Sequence, residues 1–159
     1  MSMSELKSVL LAIEHATLKR DELLKASARV ERNQVFAREQ LAQLQAYAID
    51  TDRRWVASSA RSVTVELVHH QYQFMERLQN AITLQTDVIA GIAVQLQQAK
   101  GHVMQAEVRL AGLNQILKTR QASLLQRQQR REQRQTDEFA ALLFSRNRAR
   151  PMSGERHDT

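Results

Sequence analysis

The chain has 159 residues, a formal net charge of +6, 4% aromatic residues, four glycines and one proline. Globular chains average about 7% Gly and 5% Pro, so this composition argues against a turn-rich compact domain and for long helices of Gln, Leu, Ala, Arg and Glu. No cysteine is present, which excludes disulfides and thiolate chemistry and fits a cytosolic chain.

The first periodic run comprises Leu6, Val9, Ile13 and Ala16, spaced by three and four as on the buried face of a helix. After Arg20 the steps continue through Leu23, Ala26, Val30, Asn33, Ala37, Leu41, Leu44 and Ala48. The two successive three-residue steps from Arg20 to Ala26 predict a stammer, a local overwinding of a supercoil. Asn33 on this stripe is expected to fix register, as buried polar residues do in some coiled coils.

The stretch "DTDRRWVASSARSVT" (50–64) interrupts the pattern and clusters Ser58, Ser59 and Ser62. Ser is a favoured N-cap, so a second helix is expected to start near Ser62. Every seventh residue from Val68 is apolar: Met75, Ile82, Ile89, Leu96, Val103, Leu110, Leu117 and Leu124 follow it. Gln71, Leu78, Gln85, Ile92, Ala99, Ala106, Leu113 and Arg120 interleave, and five of these eight are apolar. A repeat this long predicts a coiled-coil helix. Gly91, Gly101 and Gly112 lie off the seam, and close approach of a neighbouring helix is one expectation for them.

The fold class expected is all-α: a long antiparallel two-helix coiled-coil hairpin with an overhanging C-terminal helix. It would form a single domain over 1–145, with helix one at about 4–57, a turn at about 58–62 and helix two at about 62–145. At 1.5 Å per residue the helices would measure roughly 80 and 120 Å, so helix two should overhang beyond about residue 120. That overhang, "RQASLLQRQQRREQRQTDEFAALLFSR", lacks a helical neighbour and is expected to fray until it meets a partner. Residues 146–159 are expected to form a disordered tail.

The basic excess is local. Nine basic and three acidic side chains fall within 118–150, against thirteen and twelve within 1–117. Arg127, Arg130, Arg131 and Arg134 make a basic stripe, where an acidic partner is to be sought. No glycine-rich phosphate loop or nucleophile turn is present. The histidines, His15, His69, His70, His102 and His157, never recur at three- or four-residue spacing, so no shared metal site is indicated. An enzyme, a cofactor and a metal are therefore not expected. The apolar run "VIAGIAV" (88–94) is far short of the roughly 20 residues that span a bilayer. The start, with Glu5 and Glu14, lacks the apolar block of a signal peptide.

A second stripe runs beside each seam. Phe74, Leu78, Ala81 and Gln85 are spaced by four, three and four, and Gln40, Leu44, Tyr47 and Thr51 follow a similar course on the first helix. In an antiparallel hairpin turning near residue 62, Gln40 would face Gln85, Leu44 would face Ala81, Tyr47 would face Leu78, and Thr51 would face Phe74. Periodicity alone leaves two accounts open: packing at the seam edge, or a contact patch near the hairpin tip.

"QLAQLQAY" (40–47), "YQFMERLQNAIT" (72–83) and "DEFA" (137–140), in that order within a two-helix layout, resemble the flagellar export protein FliJ family. The resemblance spans nearly the whole chain. It implies an antiparallel coiled coil similar to the central stalk of rotary ATP synthases. The implied partners are the hexameric export ATPase (FliI), the cytoplasmic part of the export gate protein (FlhA) and export chaperones. The implied location is the cytoplasm, peripheral to the inner membrane at the flagellar base. It further implies that Gln40, Leu44, Tyr47, Phe74, Leu78 and Ala81 form the gate-binding patch. Thr51 and Gln85 depart from the family pattern, where relatives can carry Tyr and His. The basic overhang, with Arg127, Arg130, Arg131, Arg134 and Phe139, would meet the ATPase. Within "DEFAALLF", Phe139, Leu142, Leu143 and Phe144 could anchor on a partner or fold back on the hairpin end; the sequence leaves both open.

Two rivals stand beside this reading. A basic coiled coil could bind nucleic acid through phosphate neutralisation, although no aromatic residue lies within 118–138 to stack on bases. A generic scaffold, or the equivalent stalk of a virulence-type secretion system, would share the architecture.

Overall fold

The structure, a computed structural model, describes residues 3–61 and 63–149. Two α-helices account for nearly all of them: α1 (Met3–Ser59, 57 residues) and α2 (Val65–Ala149, 85 residues). The described residues divide into two compact units, one comprising His15–Leu110 and the other the start of α1 up to Glu14 with α2 from Ala111 onward.

In the first unit the helices pack antiparallel. Tyr47 of α1 meets Phe74 of α2, Gln85 reaches Ala37 and Gln40, and His15 to Leu23 share a groove with His102 to Arg109. Positions thus pair in descending order, as the short connection between two amphipathic helices requires.

The core is a seam one residue deep on each helix. Its best-covered members are Val9, Ala16, Ala37, Leu78, Leu96 and Leu110, and no polar or charged residue among the described residues is fully covered. In α2 every expected seam position from Gln71 to Leu124 is buried or half-buried, and Val68 is exposed.

The α1 seam differs from the expectation in one respect. It runs Leu6, Val9, Ile13, Ala16, Arg20, Leu23, Ser27, Val30, Gln34, Ala37, Leu41, Leu44, Ala48, Thr51 and Trp55, all buried or half-buried. The three-four alternation is unbroken, so there is no stammer. Asn33 is exposed and Gln34 takes its place. Ser27 is polar and Ala26 apolar, so a count of apolar residues slips one position earlier to Ala26, and with both Asn33 and Gln34 polar the count does not correct itself there. With the seam labelled a and d, Ala26 and Asn33 lie at g, the position before each a.

The connection also starts its second helix later than Ser62. Thr64 is the N-cap: its Oγ1 accepts from the Leu67 backbone N–H at 3.3 Å, and its carbonyl accepts from Val68 at 3.2 Å. Ser62 lies outside the described residues. Ser58 and Ser59 instead serve the end of α1, donating hydroxyl hydrogen bonds to the carbonyls of Trp55 (3.1 Å) and Val56 (2.9 Å). The Val56 carbonyl is among the last four of the helix, which have no amide four residues on within it to pair with.

At its other end α2 continues to Ala149, so 146–149 are helical rather than tail, and the overhang is helical rather than frayed. Good helix formers dominate this stretch. Gln133 donates to Asp137 at 3.1 Å across one turn. Arg146 and Arg148 occupy the last turn, where positive charge complements the helix dipole. Residues 150–159 of the expected tail lie outside the described residues. An added Cβ at Gly91, Gly101 or Gly112 would meet nothing within 4 Å, so no neighbouring helix explains them.

Candidate functional site

Near the hairpin turn, the g positions of the two helices hold four of the eight second-stripe residues, Gln40, Tyr47, Phe74 and Ala81, and the other four lie in the seam. The rings of Tyr47 and Phe74 meet edge to face, with centroids 6.1 Å apart and planes at 78°. This is a favoured aromatic geometry. Tyr47 is 53% and Phe74 38% exposed, so the pair contacts itself and still presents ring surface outward. Two to three turns further from the tip, the Gln85 amide donates to the Ala37 carbonyl at 2.9 Å and to Gln40 Oε1 at 3.3 Å. Ala37 is the best-covered residue of the seam, at 4% exposure. Its small side chain leaves room for an amide to reach the backbone.

The six patch residues divide by depth. Gln40, Tyr47 and Phe74 are exposed, Leu44 and Ala81 are half-buried, and Leu78 lies in the seam at 8% exposure. Leu44 and Leu78 are therefore packing residues beneath the surface that the other four present. Tyr47 meets Phe74, one helical turn from the Leu78 expected opposite it, and Gln40 meets Gln85. Thr51 is a half-buried seam residue.

In the other unit, every residue from Leu125 to Ala149 is exposed. Arg127, Arg130, Arg131 and Arg134 lie within this stretch, and no acidic partner is within ion-pair distance of them among the described residues. Leu124, Arg127, Gln128, Arg131, Glu132 and Gln135 line a shallow groove at its start, together with Met3. Further along, Phe139, Leu142 and Phe144 are each about two-thirds exposed, so this apolar turn does not fold back on the chain. The Arg148 guanidinium stacks over the Phe144 ring at 5.8 Å, one turn apart, and shields part of that ring.

Sequence reasoning did not single out the outward-facing Val35 and Phe36. They lie beside Ala28 and Glu39 on the surface of α1 and are more than half exposed. Their signal was available: two large apolar residues side by side cannot both lie on one seam. Among the described residues no helix is long and apolar enough to cross a membrane.

A family model described as flagellar FliJ protein matches residues 3–149, both helices included. Neither the curated proteins nor the solved structures give a significant match. With two packed helices, the aromatic pair near the turn and that match over nearly its whole length, the chain belongs to the flagellar FliJ family, whose members are non-catalytic components of the flagellar export apparatus.

Proposed function

We propose that this export component is a stalk-like cofactor of the export ATPase. Its exposed basic helix binds and promotes the FliI hexamer. The patch of Gln40, Tyr47, Phe74 and Ala81, backed by Leu44 and Leu78, contacts the cytoplasmic part of the gate protein FlhA. The same protein escorts export chaperones, acting in the cytoplasm against the inner membrane at the flagellar base.

The observation that carries the reading is the long run of unpartnered helix. From Leu125 to Ala149 no residue is covered, yet the stretch holds four arginines in two turns and an apolar turn from Phe139 to Phe144. An exposed helix with charge and apolar anchors in sequence suits insertion into a protein groove. Arginines with no carboxylate within ion-pair distance among the described residues also steer approach to an acidic pore. The rival nucleic-acid reading shares the arginines but leaves Phe139, Leu142 and Phe144 without a role.

The test is ATP turnover by the purified export ATPase of the same organism with the full chain, the Arg127→Glu/Arg131→Glu variant and the Phe139→Ala variant. Stimulation by the parent and its loss in both variants is the expected result. No stimulation by the parent chain refutes the stalk reading. Retained stimulation in the variants moves the contact away from Arg127, Arg131 and Phe139.

A further inference from the structure

The unit His15–Leu110 carries a second surface feature that neither the seam nor the aromatic patch explains. His15, Lys19 and Leu23 of α1 and His102, Gln105 and Arg109 of α2 line one groove, with an accessible volume of about 240 Å³. Its floor is made by Ala16 and Ala106, both at d seam positions. Two alanines facing each other fill less space than the leucines and isoleucines elsewhere in the seam, so the helices leave a hollow there. The rim is polar and basic. Among the described residues none of Lys19, His102 or Arg109 has a carboxylate within ion-pair distance.

The groove lies on the same flank as Tyr47 and Phe74. Lys19, Gln40, Tyr47 and Arg54 are g positions of α1, and Phe74, Ala81, His102 and Arg109 are g positions of α2. Within this unit the g positions of the two helices hold no Asp or Glu at all. The e positions, on the opposite flank, hold both signs: Glu31, Arg38 and Asp52 on α1, with Lys100 and Glu107 on α2. A two-helix coiled coil commonly balances charge along its flanks. Here one flank carries both signs, while the g positions of the other carry only basic and uncharged residues, of which, among the described residues, Arg54 alone pairs with a carboxylate, that of Asp50 at 3.0 Å.

We propose that the groove rimmed by Lys19, His102 and Arg109 is a docking site for an acidic, partly apolar peptide segment of a partner protein. The segment's carboxylates pair with Lys19 and Arg109. Whichever tautomer it adopts, a histidine ring keeps one N–H to donate, so His15 and His102 add donors. An apolar side chain of the segment covers the hollow over Ala16, Ala106 and Leu23. Charge complementarity is the argument for a peptide of this kind: Lys19 and Arg109 have no carboxylate within ion-pair distance among the described residues, whereas Arg54, further along the same flank, pairs with Asp50 at 3.0 Å. The site is separate from the aromatic patch and does not depend on the ATPase reading.

The probe is a dye-labelled synthetic helical peptide of Glu and Leu, presenting both on one face, with a Gln-for-Glu version as its uncharged control. Fluorescence anisotropy is followed with the full chain, with Lys19→Glu/Arg109→Glu, with the milder Lys19→Gln/Arg109→Gln, and with Arg127→Glu/Arg131→Glu. Circular dichroism checks that each variant keeps its helicity. The expected result is binding of the acidic peptide alone, weakened about tenfold or more by either groove variant and less than about twofold by the overhang variant. Equal losses in groove and overhang variants would show diffuse charge attraction and overturn the proposal. Binding that survives both groove variants, or no binding by the parent chain, overturns it too. A last arm adds inorganic phosphate against sodium chloride of equal ionic strength. Displacement by phosphate beyond the salt control would assign the groove to a free anion instead of a peptide.

Discussion

Tyr47 and Phe74 meet edge to face at 6.1 Å across the two helices while both keep outward ring surface. An aromatic pair of this kind contributes about 0.5–1.5 kcal/mol beyond its buried area, too little to hold a hairpin of two long helices together. Tyr47→Ala and Phe74→Ala should therefore keep near-parental helicity and lower the unfolding midpoint only slightly, while weakening gate binding and swarming motility. Leu78→Ala removes a seam side chain instead, and should lose about 2–3 kcal/mol, at the lower end for a buried leucine in so thin a core. Thermal unfolding by circular dichroism, paired with a motility assay, separates the two classes. A collapse of helicity in Phe74→Ala would make that ring structural and remove it from the patch.

Gln71 and Gln85 both occupy d positions of α2, with opposite fates. Gln85 donates two hydrogen bonds to α1, whereas the Gln71 amide nitrogen is buried with no partner. An unmet buried amide is destabilising, and replacing it with an apolar side chain of similar size removes the penalty. Gln71→Met should stabilise the chain by about 1 kcal/mol, seen as a higher midpoint in urea. Gln85→Met should give no such gain, since it also breaks the bond to the Ala37 carbonyl. Equal shifts for the two variants would mean that the contact with Ala37 contributes nothing.

The heptad from Met75 to Leu124 was legible because its a positions are uniformly apolar, and the hairpin followed from it. The α1 phase was not, because Arg20, Ser27, Gln34 and Thr51 stand in the seam. In a two-helix coil the seam is half open to water, so a long polar side chain can lay its stem there and keep its head solvated. Arg20 does so and turns its guanidinium to Asp21 at 3.0 Å. Apolar counting therefore found Ala26 instead of Ser27, and could not choose between the two amides Asn33 and Gln34. The patch was visible as a second stripe, but its depth was not: periodicity cannot tell that Leu78 is covered and Phe74 is not. The groove was invisible, since it arises from two alanines, Ala16 and Ala106, brought together from distant parts of the chain.

Thr64 rather than a serine starts α2, by accepting the Leu67 amide. Thr64→Ala should lose about 1 kcal/mol, and Thr64→Asn should restore it, because Asn caps equally well. The check is a thermal midpoint for both variants. An unaltered midpoint in Thr64→Ala would mean that the first turn of α2 is not part of the cooperative unit.

Gly91, Gly101 and Gly112 are exposed, helical and free of neighbours. In an isolated helix each would be about 1 kcal/mol less favourable than Ala. Gly91→Ala, Gly101→Ala and Gly112→Ala should each stabilise the chain by up to that amount. Their separation along α2 makes near-additive gains the expectation for the triple variant. Chemical denaturation measures this directly. If the triple variant is more stable yet impaired in motility, the glycines serve a mobile or closely approached helix face in the working apparatus. If motility is unchanged, they are tolerated weak points of α2.

The exposed end of α2 combines two kinds of contact that respond differently to salt. Attraction through Arg127, Arg130, Arg131 and Arg134 is screened over about 8 Å at physiological ionic strength, whereas burial of Phe139, Leu142 and Phe144 is not. Binding to the export ATPase should therefore weaken as salt rises from low to physiological levels and then level off. Arg127→Glu/Arg131→Glu should flatten that dependence and slow association, since uncompensated charge acts mainly on the rate of encounter. Phe139→Ala should leave the salt dependence intact and speed dissociation. Surface plasmon resonance over a salt series reads both rates. Affinity that kept falling steeply at high salt, with no effect of Phe139→Ala, would mean a contact made of charge alone. The exposed arginines would then act without the apolar turn beside them, and the nucleic-acid reading would become the one to test.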